Sequence, residues 1–78
     1  MKKGARPDIR ERFGSAVRDR RESLHLTQEE FAARFRIPLG TLRDWEQGKT
    51  EPDQAARAYL TVIARNPKAV IEALNPTP

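Results

Sequence analysis

Between Phe31 and Lys49 the chain reads FAARFRIPLGTLRDWEQGK, two helix-periodic runs separated by a proline and a glycine. Pro38 constrains the fold more than any other residue. It has no N–H to donate and pushes Ile37 out of the helical region, so a helix entering from Phe31 cannot run through it. Proline is nonetheless favoured in the first turn of a helix. The break therefore predicts one helix ending near Phe35 and another beginning at Pro38, joined by the short connection "FRI".

Similar punctuation places the other elements. Ile9, Phe13, Ala16 with Val17, and Arg20 with Arg21 recur at three- and four-residue steps, which predicts a first helix from about Asp8 until Leu24 closes its apolar stripe. Thr27 and Glu30 form a capping box ahead of Phe31, Ala32 and Phe35, so the second helix should run from about Gln28 to Phe35. After Gly48 the residues Lys49 to Pro52 read as a loop, and DQAARAYLTVIARN restores helical periodicity up to Asn66. Asn66 and Pro67 look like a cap and a new first turn. A fifth helix, Pro67 to Leu74, would carry Val70, Ile71 and Leu74 on one face before NPTP ends the fold. Val, Ile and Thr are too scattered for a sheet, so the expectation is an all-α, five-helix chain.

A chain of 78 residues holds one domain at most, with a core small enough that association with a second copy would help it. With no cysteine there is no disulfide framework or thiolate metal site, and the single histidine has no acidic residue at ligand spacing, so neither metal nor cofactor is expected. The longest uncharged run falls far short of a membrane span, and no apolar segment follows the charges of Met1 to Pro7 as it would in a signal peptide. These features suggest a cytoplasmic protein with no membrane partner.

The net charge of +4 is unevenly spread, since Met1 to Leu26 holds eight Lys or Arg against four acids and the remainder balances. A basic third suggests a polyanionic partner, and charge alone suits nucleic acid, ribosomal RNA or a membrane surface equally. Residues 1–7, with Lys2, Lys3 and Arg6, form a short basic arm with little to bury, expected to be disordered when free or else to enter a minor groove. The domain proper is expected over residues 8–75.

On a wheel that starts at Pro38 and turns about 100° per residue, Leu42 and Trp45 fall on the proline side, which is the inward face. Leu39, Gly40, Arg43, Asp44 and Gln47 share the opposite face, where nothing wants a core. One reading is an ordinary amphipathic helix with a solvated polar side. The other is a helix held by Leu42 and Trp45 that presents its far side to a DNA major groove, whose width admits one helix. Gly40 would then let the backbone approach a base edge, and Arg43 could make the paired hydrogen bonds that guanine offers.

Two short helices joined by "FRI" match a helix-turn-helix over about residues 27–47. The run LTQEEFAARFRIPLGTLRDWEQGKTEP resembles the lambda-repressor-like (Cro/C1-type, XRE) helix-turn-helix domains of bacterial and phage regulators, over roughly Val17 to Ile63. The resemblance implies base contacts from Leu39, Gly40, Arg43 and Asp44, phosphate contacts from Gln28, Thr41 and Lys49, and a structural pair of Glu46 with Arg21. Trp45, Phe31 and Phe35 are expected in the core, with RNA stacking as the weaker reading of these rings. The family often has glycine where this chain has His25 and Arg36, and either residue in a left-handed conformation would carry a steric cost of roughly 1–2 kcal/mol. Arg36 is a further candidate phosphate contact, and His25 a helix-end residue rather than a pH sensor. The course of the last two helices most resembles HigA-type antitoxins of toxin–antitoxin pairs, which implies a dimeric autorepressor with a toxin partner.

The fourth helix is apolar almost all round, so it needs two neighbours. One is the domain core, and the expected other is a second copy, meeting it through Tyr59, Val62, Ile63, Val70, Ile71 and Leu74. Alternatively the fifth helix folds back and covers everything. The function expected is sequence-specific, dimeric binding of a palindromic double-stranded DNA operator. The alternatives are a stand-alone repressor without a toxin, and a module acting mainly by protein–protein neutralisation. An enzyme is disfavoured, because the acids lie among basic residues on exposed faces and no nucleophile stands near His25 in a recognisable pattern.

Overall fold

The computed structural model describes residues 9–76 and carries five helices, with no strand among the described residues. They are α1 (Ile9–Ser23), α2 (Gln28–Phe35), α3 (Leu39–Glu46), α4 (Gln54–Arg65) and α5 (Pro67–Leu74). The basic arm at residues 1–7 and the helix start expected near Asp8 lie outside the described residues. The all-α, five-helix expectation holds.

The helix starts follow from local chemistry. Thr27 Oγ1 accepts the Glu30 N–H at 3.0 Å while Glu30 Oε1 accepts the Thr27 N–H at 2.9 Å, completing the capping box of α2. Asp53 caps α4 through the Ala56 N–H, and Asn66 caps α5 through the Ala69 N–H with Pro67 following as the first helical residue. Pro38 differs from expectation by one position. It stands before α3 with φ −57° and ψ 133°, an extended cap, and the Leu42 N–H closes the first turn on its carbonyl at 3.0 Å.

The first three helices end alike, on a left-handed residue: His25 (φ 59°), Arg36 (φ 56°) and Gly48 (φ 73°). In each case the next N–H reaches back across the end of the helix, Leu26 to Arg21, Ile37 to Ala32 and Lys49 to Asp44. Only the third end uses glycine, so His25 and Arg36 both carry the steric cost that the sequence raised as a condition.

Phe31, Phe35, Leu42 and Ile63 are wholly inaccessible and form the centre of the core. Each contributes roughly 1.5–3 kcal/mol by leaving water. α1 packs on α3, α2 on both α3 and α5, and α4 on α5. At Gly14 a Cβ would stand 2.1 Å from the Trp45 carbonyl oxygen, so α1 and α3 meet backbone to backbone. Just beside it the Phe13 ring meets Trp45 edge-on, with centroids 5.6 Å apart. Tyr59 Oη donates to the Phe35 carbonyl at 2.5 Å, tying α4 to the end of α2.

This packing corrects part of the expected dimer surface. Ile63 is 0% exposed and Val70 8%, because both point into the protomer's own core. Neither has surface to offer a second copy. Val62, on the other side of α4, is 51% exposed, while Tyr59, Ile71 and Leu74 are half-buried.

Candidate nucleic-acid interface

α3 is fixed from within by Leu42, Trp45 and Glu46, which are 0%, 7% and 6% exposed. Two of these are apolar and seat themselves by burial. The third is a carboxylate, and its burial needs partners. Glu46 Oε2 accepts Arg21 Nε at 2.8 Å, and Oε1 accepts Arg21 Nη2 at 2.9 Å and Gln28 Nε2 at 3.0 Å. Arg18 lies 3.7 Å from Oε1 and donates to the Glu46 carbonyl at 2.7 Å. Burial alone would raise the carboxyl pKa, but the hydrogen bonds from Arg21 and Gln28, with the charges of Arg21 and Arg18, outweigh it and hold Glu46 below its ordinary value. The same bond raises the pKa of Arg21. One carboxylate thus ties α3 to α1 and to the first residue of α2, and so sets the angle at which α3 stands.

The opposite side of α3 faces solvent. Gly40 is exposed, and nothing lies within 4 Å of where its Cβ would be. Arg43 and Gln47 are exposed, while Leu39, Thr41 and Asp44 are half-buried. This is a strip of bare backbone flanked by a cation, an acid and an amide, matching in kind what base edges in a major groove offer.

Arg43 is not idle in this arrangement. Its Nη2 lies 3.1 Å from Glu29 Oε2 and its Nε donates to Gln28 Oε1 at 3.4 Å, so α2 holds the guanidinium at the mouth of the turn. Gln28 therefore bridges the buried carboxylate and the exposed cation, and its amide nitrogen has a second hydrogen beyond the one given to Glu46. Lys49 extends from the loop after α3, exposed and without an ion-pair partner among the described residues. Arg36, the further candidate phosphate contact, is exposed and is held by the last helix. Its Nη2 donates to the Leu74 carbonyl at 2.6 Å and neutralises the C-terminal end of α5.

Three residues that shape this site were not singled out in the sequence. Gly14 had a signal, a glycine inside an otherwise helical stripe, which marks close packing when it is retained. Arg18 and Glu29 had none, because the partners of long side chains across a turn depend on the crossing angles of the helices. Among the described residues no helix is long and apolar enough to cross a membrane, and no three His, Asp or Glu side chains gather as metal ligands.

A helix-turn-helix family profile matches residues 17–56, just over half of the chain. No curated protein matches. Among solved structures the chain is similar to an HTH XRE-family-like protein from Agrobacterium tumefaciens, with 61% identity, a TM-score of 0.74, and coverage of 76% of this chain and 95% of that one. The matched span takes in the capping box, the break at Pro38 and the whole of α3, and on these grounds the chain belongs to the XRE-type helix-turn-helix family of DNA-binding regulators.

Proposed function

We propose that this regulator is a sequence-specific repressor that binds a palindromic operator as a dimer and thereby shuts off its own promoter. The observation that carries the reading is the bare strip at Gly40, set between Leu39, Arg43 and Asp44 on a helix whose other side is locked by Leu42, Trp45 and the Glu46 network. Arg43 and Asp44 select base pairs across that strip, while Thr41, Lys49 and Gln28 hold phosphates and fix the register. No chemistry is required, since a dimer lying across a promoter excludes polymerase by occupancy.

The second copy meets this one through the side of α4 that carries Val62 and Tyr59, together with Ile71 and Leu74 of α5. A two-fold pair sets its reading helices about 34 Å apart, one turn of DNA. Sequencing the fragments that the purified chain selects from a random DNA pool tests the reading. A palindrome with half-sites one turn apart is expected, and enrichment of no sequence would overturn it.

The narrower role of antitoxin rests on the likeness of the last two helices to HigA-type proteins. Its test is co-expression with the adjacent reading frame. Rescue of growth from a small toxin supports it, and the absence of any toxic neighbour leaves a stand-alone repressor.

A further inference from the structure

α1 and α4 are not among the closely packed helix pairs, and an apolar furrow lies open between them. Phe13, Ala16, Val17 and Arg20 line one wall from α1. Arg57, Leu60, Thr61 and Ala64 line the other from α4. Both sets follow the spacing i, i+3, i+4, i+7, so two straight helical stripes face each other over a floor of Phe31 and Ile63. The hollow measures about 390 Å³ and continues past Phe13 and Arg57 into a second of about 340 Å³ beside Ile9 and Pro52. Ile9 is 62% exposed there.

Charge distinguishes this furrow from a mere gap. Arg12, Arg20 and Arg57 stand along it, all exposed, and none has an ion-pair partner among the described residues. α4 contains no acid, and Glu11 and Asp19 of α1 border the adjoining depression, which shares Arg12 and Ala16 with the furrow. An apolar slot edged by three unneutralised guanidiniums fits an amphipathic helix with aliphatic anchors on one face and carboxylates beside them. We infer that the α1/α4 furrow docks an acidic amphipathic helix of a partner protein.

The described helices do not supply that acidic face. In α2, the one helix with two acids in its first turn, the apolar residues Phe31, Ala32 and Phe35 are already buried in the core. The side of α4 proposed above for a second copy, at Val62, lies about 200° round the helix from Ala64. No residue of α3 lines the furrow, so the docked helix and an operator can be held together.

The test is selection of a displayed library of random peptides, roughly sixteen residues or four to five helical turns long, on the full-length chain. Enriched peptides should be acidic and amphipathic. They should shift amide resonances of Ala16, Leu60 and Ala64, and lose roughly tenfold or more in affinity on Arg20→Glu with Arg57→Glu. Ala16→Arg fills the slot from an exposed position and should have the same effect with an unchanged melting temperature. Basic or neutral winners, shifts centred on α3 or α5, or displacement of the peptide by mixed-sequence duplex DNA would each overturn the inference. So would α1 and α4 resonances that move with the chain's own concentration, which would assign the slot to a second copy. Operator binding is read separately, so failure here leaves the proposed DNA reading untouched, and the converse holds.

Discussion

Arg21 grips Glu46 across 25 residues of sequence with two charge-assisted bonds of 2.8 and 2.9 Å, and the carboxylate side chain is only 1% exposed. Replacing Arg21 by alanine removes both bonds and leaves Glu46 buried with Gln28 and a more distant Arg18. Breaking a buried pair from one side costs about 3–5 kcal/mol, comparable with the few kcal/mol that a core of this size supplies. Arg21→Ala is therefore expected to be largely unfolded, followed in urea through the fluorescence of the single tryptophan, Trp45, whereas Glu46→Gln, which keeps one accepting oxygen and buries no unpaired carboxylate, should lose less. A loss within about 1 kcal/mol for Arg21→Ala would mean that the pair behaves as a surface one.

The same carboxylate makes stability depend on pH. Its folded pKa lies below the unfolded reference of 4.5, so the folded state binds fewer protons than the unfolded state in the interval between the two values. The contribution is present in full above the unfolded pKa and is lost as pH falls through the folded one. Urea midpoints should be flat above about pH 6 and fall below about pH 5, and Glu46→Gln should flatten that acid limb. An unchanged limb in the variant would place the acid sensitivity on other carboxylates.

On the reading side, Arg43→Ala should weaken the selected operator by roughly 1–3 kcal/mol and relax preference at one base pair. Lys49→Ala should weaken selected and mixed-sequence DNA alike and lower the salt dependence, since a phosphate contact carries no sequence information. Fluorescence anisotropy on both DNAs at two salt concentrations separates the two behaviours. If both variants bound the operator like the parent chain, the orientation assigned to α3 would be wrong.

How far the sequence carried each feature depended on whether its cause was local. The capping box at Thr27 and Glu30, the start of α5 at Asn66 and Pro67, and the break at Pro38 were all legible, because each is decided by neighbouring backbone and side-chain chemistry. The inward turn of Leu42 and Trp45 was legible from helical period alone. Ile63 and Val70 were misassigned to an outer surface because α4 and α5 are apolar on more than one side, and period cannot say which apolar side meets the core. The link from Glu29 to Arg43, and the use of Arg36 on the Leu74 carbonyl, depend on how helices cross, which no local pattern encodes.

Two glycines make the division between scaffold and reading face measurable. At Gly14 an added methyl would stand 2.1 Å from the Trp45 carbonyl oxygen, an atom of backbone that cannot swing aside, so Gly14→Ala must push α1 away from α3. Overpacking of this kind costs about 1–3 kcal/mol. At Gly40 an added methyl meets nothing within 4 Å, so Gly40→Ala should keep or raise stability, by up to about 1 kcal/mol from restricted backbone freedom in the unfolded chain. The order reverses in DNA binding. The folded fraction of Gly14→Ala should recognise the operator once stability is corrected for, while Gly40→Ala, the more stable protein, should bind it more weakly because its methyl would occupy the space that the proposed reading gives to a base edge. Melting temperatures and operator titrations on the two variants give four numbers. Gly40→Ala bound as tightly as the parent would remove Gly40 from the contact surface.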